Sequence, residues 1–158
     1  MTNWKLRLEE SGYELSTHPP TPNGRYRPFV RVGDQLFIAG QTCMRGGVLI
    51  HRGTVGVDVD MDEARRAAAL CALNTLAVLE VATDGNLDAV RAVKMTGFIR
   101  CLSDFSAQPA VLDGASEVLE TALGDRGGHV RAAIGALALP RSAPVEIETV
   151  FAFDGEFQ

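Results

Sequence analysis

The residues of this chain best suited to chemistry lie towards its C-terminal end. They fall in Gly128-His129-Val130-Arg131-Ala132-Ala133-Ile134-Gly135 and, after Leu139-Pro140, in Val145-Glu146-Ile147-Glu148. The first run carries one arginine among small and apolar residues, the second a pair of glutamates. An arginine in such surroundings needs an anion, and its planar guanidinium binds a carboxylate bidentately. That anion is Glu146 or Glu148 from the next strand, or the carboxylate of a ligand. Glu148 stands two residues after Glu146 and so points to the same face of a strand. Arg131 with Glu146 reads as a cross-strand ion pair on one view and as a binding site on the other. A second acid near a single arginine weakens the simple pair.

Other chemical patterns are missing or have plainer explanations. His18, His51 and His129 are isolated, and no cysteine has a partner two to four residues away, so no metal-ligand spacing exists. The sequence has neither a Walker loop nor a GxGxxG after a strand, and no GxSxG elbow. The glycine-rich Gly124-Asp125-Arg126-Gly127-Gly128 reads as a helix C-cap followed by a turn. Cys43, after Gly40-Gln41-Thr42, reads as a buried thiol, because no histidine is anchored beside it. Tyr26 follows a proline-rich loop and reads as a packing residue with a polar tip.

The elements that must position these residues follow from pattern. Asn3 to Ser11 interleaves Trp4, Leu6 and Leu8 with polar residues, as a short helix or an edge strand. Thr17 to Asn23 holds Pro19, Pro20 and Pro22 and is extended. Phe29 to Val32 and Gln35 to Ala39 flank Gly33-Asp34 as a tight β-hairpin, and at Gly40 the backbone can approach a neighbour closely. Gly46 to Leu49 leads into a loop through Gly53 and Gly56. A helix opens at Asp60, with Glu63 completing a capping box, and runs to about Ala82. Its second half is apolar almost all round, which predicts cover on more than one side. Val93 to Leu102 is a strand in which Gly97 marks a bulge. A second helix spans about Pro109 to Leu123, with one apolar stripe. Val145 to Phe153 is the last strand. The order β-β-α-β-α-β-β predicts an α+β fold, a mixed sheet with two helices packed on one face.

With 158 residues the chain fits one domain, 1–158, around a single core. Its net charge of −5 and lack of a Lys/Arg-rich run argue against nucleic acid as a partner. No apolar run reaches membrane-span length, and the N-terminus lacks the apolar core of a signal peptide. Three widely spaced cysteines suit free thiols in a reducing cytoplasm.

Three blocks resemble the reactive intermediate deaminase family, also called YjgF or L-PSP endoribonuclease-like. The first is Gly24-Arg25-Tyr26-Arg27-Pro28-Phe29-Val30 with Gly33-Asp34-Gln35-Leu36-Phe37-Ile38-Ala39-Gly40-Gln41. The second is Leu73-Asn74 with Val90 to Asp104-Phe105. The third is Arg131 through Leu139-Pro140 to Val145-Glu146-Ile147-Glu148. Together they span roughly Gly24 to Phe153, and the chain resembles a longer branch, with added length at Met44 to Val59 and Ser106 to Leu112.

The resemblance implies a chorismate-mutase-like α+β homotrimer with sites in clefts between subunits, acting on a small carboxylate-bearing ligand without a cofactor. In this reading Arg131 holds the substrate carboxylate and Glu146 orients the attacking water. Tyr26 lines the pocket and Gly40 presents backbone to the ligand. Ala133 stands where such proteins often carry cysteine, and binds through its backbone. Asp113 falls near a position that is usually asparagine, where its charge would repel an anion. The implied reaction is hydrolytic deamination of 2-imino or enamine acids. The alternatives are a trimer that binds or senses small carboxylates without turnover and, following the older family label, a ribonuclease or translation inhibitor.

Overall fold

The computed structural model describes residues 3–16 and 18–154. Both ends of the expected 1–158 domain, and Thr17 at the start of the expected extended segment, lie outside them. Helix α1 (Asn3–Glu10) is followed by β1 (Phe29–Val32), β2 (Gln35–Thr42) and a small hairpin of β3 (Met44–Arg45) and β4 (Val48–Leu49). Then come α2 (Met61–Ala82), β5 (Val90–Arg100), α3 (Gln108–Leu123), β6 (Val130–Ala136) and β7 (Val145–Phe153).

The main sheet has the order β1-β2-β7-β5-β6. β5 and β6 are parallel, and the other neighbouring pairs are antiparallel. Parallel neighbours need a long crossover, and α3 is that crossover. The architecture is therefore the expected mixed α+β sheet, with one correction. Three helices are present among the described residues, not two. The ambiguous N-terminal segment is helical because Trp4 and Leu8, four apart, share one buried face. The Arg7 side chain fastens this helix to α3 by donating to the carbonyls of Thr121 and Ala122.

The capping box at α2 forms as read: Glu63 N donates to Asp60 Oδ1 at 2.8 Å, and Asp60 N donates to Glu63 Oε2 at 3.1 Å. The all-round apolarity of α2 is absorbed within one chain, because the helix packs on both α3 and the sheet. Uncovered apolar surface lies instead on the sheet face away from the helices. One cross-strand row there runs Val30, Phe37, Val150, Lys94, Val130, and Val30, Phe37 and Val130 are exposed.

Gly97 is not a bulge. The ladder is continuous through it, and the register shift in β5 falls between Ala92 and Lys94. The glycine is needed because a Cβ there would lie 2.7 Å from Leu112 Cγ, so its absence lets α3 settle on the sheet. Among the described residues, no helix is long and apolar enough to cross a membrane.

Candidate active site

β7 alternates buried Val145, Ile147, Thr149, Phe151 and Phe153 with residues turned away from the helices, Glu146 and Glu148 among them. Beside Glu146, β2 slips register between Ile38 and Gln41. Gly40 lies in that irregularity. A Cβ on Gly40 would overlap the Glu146 carboxyl, coming 3.1 Å from its Cδ. The bare backbone at residue 40 is what allows the acid to lie there. Burial raises the pKa of Glu146 above that of an ordinary carboxyl, and the charge of Glu148 raises it further.

Glu146 opens onto a cavity of about 840 Å³ that also takes in Tyr26, Gly40, Asn74, Arg45 and Arg141, with the proline-rich segment from His18 as one wall. The Tyr26 hydroxyl accepts a hydrogen bond from Asn23 N at 3.1 Å, which ties the ring to that wall. Asn74 is buried on α2. It donates to the carbonyls of Thr42 at 3.0 Å and Met44 at 2.8 Å, and accepts from Ser16 Oγ at 2.9 Å. This residue fixes the cavity floor. It stood inside a recognisable sequence block, but its role was missed; the signal was a polar amide in an otherwise apolar helix face.

Arg131 is elsewhere. β6 borders β5, and β7 lies on the other side of β5, so neither Glu146 nor Glu148 comes from a strand adjacent to Arg131. The partner is Asp113 of α3, with Arg131 Nη2 and Asp113 Oδ1 2.6 Å apart. Arg131 also donates to Ser116 Oγ at 2.8 Å and to the Pro109 carbonyl at 3.1 Å. Ser116 Oγ lies 3.1 Å from His129 Nε2, and His129 Nδ1 lies 2.7 Å from the Gly127 carbonyl. The expected choice between a glutamate and a ligand thus gains a third answer, an acid of the covering helix. Ala133 follows two residues along β6, opposite Gly97, and packs against the core.

The six residues singled out in sequence therefore separate within one chain. Tyr26, Gly40 and Glu146 share the cavity, whereas Arg131, Asp113 and Ala133 line the β6–α3 edge. Cys43 is a buried free thiol whose pKa burial raises, as befits an inert side chain.

Residues 5–152 match the model for the YjgF/chorismate mutase-like family, which carries an endoribonuclease label. The chain belongs to this YjgF-like family. Protein TCP17 of Trypanosoma cruzi is 33% identical over 147 residues, covering 90% of this chain and 89% of its own length. A 2-iminobutanoate/2-iminopropanoate deaminase of Dermatophagoides farinae is 30% identical over 131 residues, covering 83% of this chain and 88% of its own. Among solved structures, Atu1372 from Agrobacterium tumefaciens, a protein of unknown function, superposes with a TM-score of 0.89 at 39% identity. That likeness covers 96% of this YjgF-like chain and 92% of the other.

Proposed function

We propose that the protein hydrolyses reactive 2-imino acids, and the enamines that tautomerise to them, to 2-oxo acids and ammonia. The observation that carries this reading is the Glu146 carboxyl, half-buried against Gly40 in a sizeable cavity, with its pKa raised. A carboxyl tuned upward is a stronger base than an ordinary carboxylate and is suited to take a proton and return it. Water adds through oxygen to the carbon of the protonated C=N group as the π electrons move to nitrogen, and Glu146 takes a proton from that water to leave a neutral carbinolamine. Glu146 returns this proton to the carbinolamine nitrogen, the C–N bond breaks as the hydroxyl oxygen forms C=O, and the hydroxyl proton leaves with ammonia as ammonium. No cofactor enters this balance. Similarity to the Dermatophagoides deaminase supports the assignment.

Within this proposal the chain acts as a homotrimer, and Arg131 of an adjoining copy holds the substrate carboxylate beside Glu146. The apolar row on the uncovered sheet face supports such an assembly, because a surface of that kind favours burial against protein. The three free cysteines accord with a cytoplasmic setting. A net charge of −5 disfavours the ribonuclease reading carried by the family label.

The test generates 2-iminobutanoate in situ with an amino-acid oxidase and follows 2-oxobutyrate and ammonia. Wild type accelerates release, and Glu146→Gln loses about 10²–10⁴-fold while still binding 2-oxobutyrate. If neither exceeds the uncatalysed rate while both bind the 2-oxo acid, the protein binds carboxylates without turnover. A light-scattering mass of one chain removes the shared site.

A further inference from the structure

One cationic residue lining the Glu146 cavity has no side-chain partner among the described residues. Two arginines line it, Arg45 and Arg141. Arg45 is engaged by Glu14: its Nη1 lies 2.5 Å from Glu14 Oε2, and its Nη2 donates to the Glu14 carbonyl at 3.3 Å. The guanidinium of Arg141 has no hydrogen-bond or ion-pair partner among the described residues.

The backbone under Arg141 is firmly held. Its φ of 56° and ψ of 18° lie in the left-handed region, which is unfavourable for a residue with a Cβ and persists only where the surroundings enforce it. Three contacts enforce it here. Arg52 Nη1 donates to the Arg141 carbonyl at 3.1 Å, Gly53 N donates to the Ser142 carbonyl at 2.9 Å, and Ala143 N donates to the Pro140 carbonyl at 3.0 Å. One segment distant in sequence, Arg52-Gly53, together with a local turn thus fixes the root of a cationic side chain at the wall of the cavity that holds the Glu146 carboxyl. Small-molecule sites span roughly 300–1,000 Å³. At about 840 Å³, this cavity has room beyond a four-carbon imino acid.

We propose that Arg141 reads a second acidic group on the ligand, making 2-imino dicarboxylates the preferred substrate class. The carboxylate remote from the imine pairs with the Arg141 fork, which leaves the first carboxylate for Arg131 of the adjoining copy and the C=N carbon for water beside Glu146. The turnover part of this inference rests on the deaminase reading; the binding preference does not.

The experiment titrates full-length protein with 2-oxoglutarate and with 2-oxobutyrate by calorimetry. Wild type binds the dicarboxylate about tenfold more tightly or better, a difference of about 1.4 kcal/mol. Arg141→Gln abolishes the preference and Arg141→Lys retains part of it, whereas Arg91→Gln, an equal charge change at an exposed position of β5, leaves it intact. In turnover, the ratio of kcat/KM for 2-iminoglutarate over 2-iminobutanoate falls by a similar factor in Arg141→Gln. Equal affinity for the two acids in wild type, or a preference that survives Arg141→Gln, overturns the inference even if imines are hydrolysed. A preference that depends on Arg141 without hydrolysis of any imine keeps the inference and sinks the deaminase reading.

Discussion

Arg131 and Asp113 form an ion pair, 2.6 Å between Nη2 and Oδ1, on the helix-covered side of β6, away from the cavity that holds Glu146. A charge read from sequence as a repellent of anionic ligands instead neutralises the arginine meant to attract them. The Asp113 side chain is 46% exposed and that of Arg131 24%. Pairs so open to water are worth only about 0–1 kcal/mol, so an incoming carboxylate can displace Asp113. Asp113→Asn keeps an acceptor for the guanidinium and removes the competing charge. Affinity for 2-oxobutyrate should then rise by roughly the worth of the pair, up to fivefold or so. Calorimetric affinity that is unchanged or lower would show that no ligand carboxylate meets Arg131.

Gly40 makes the opposite kind of contact, an opening kept for an acid. The atom that a Cβ would strike belongs to the flexible end of Glu146 and not to backbone. Gly40→Ala should therefore fold with little loss of stability while expelling the carboxyl from its seat. Imine hydrolysis should fall towards the Glu146→Gln level, with the thermal midpoint nearly unchanged. Full activity in this variant would mean that the seated position of Glu146 is irrelevant to turnover.

These two contacts mark how far the sequence could be read. Local features were legible. The β1–β2 hairpin, the Asp60–Glu63 capping box and the apolar stripe of α3 each depend on residues within a few positions of one another. That Glu146 and Glu148 share a face followed from strand alternation alone. The partner of Arg131 did not follow, because it depends on β5 entering the sheet between β6 and β7. Consecutive strands in sequence invite a pairing that the fold does not make. The all-round apolarity of α2 predicted cover on more than one side, and α3 and the sheet supply it, but the pattern alone could not say which elements those would be. Arg141 was invisible because its conformation is enforced by Arg52, 89 residues earlier in the chain.

The cover over α2 yields a stability prediction. A Cβ on Gly114 of α3 would lie 2.9 Å from the Arg65 carbonyl carbon and 3.1 Å from its Cα, and closer still to its oxygen. These are backbone atoms of α2, so the helices would have to separate. Alanine gains up to about 1 kcal/mol in helix propensity over glycine, but overpacking costs about 1–3 kcal/mol and occasionally more. We expect the collision to prevail because both sides are main chain. Gly114→Ala should lower the thermal midpoint by a few degrees, at about 2–4 °C per kcal/mol for a domain of this size. A raised midpoint would show that the helices part freely.

The raised pKa of Glu146 implies a cost in stability that can be measured apart from activity. Burial and the neighbouring Glu148 charge both disfavour its ionised form in the folded chain, whereas the unfolded chain titrates near 4.5. Between that value and the raised folded one, the folded state binds more protons than the unfolded state. Stability therefore declines as pH rises through this window, and the loss persists at neutral pH. Glutamine cannot ionise, so Glu146→Gln should be more stable than wild type at neutral pH, and the gap should close below the ordinary carboxyl range. Glu148→Gln removes only the second cause. It should move the acid limb of the activity profile to lower pH while keeping turnover. Thermal midpoints of wild type and Glu146→Gln at neutral pH and near ~pH 4 decide the matter. If the glutamine variant is the less stable at neutral pH, the ionised carboxylate has a compensating partner, and Glu146 is then a structural anion instead of a proton carrier held ready at the cavity wall.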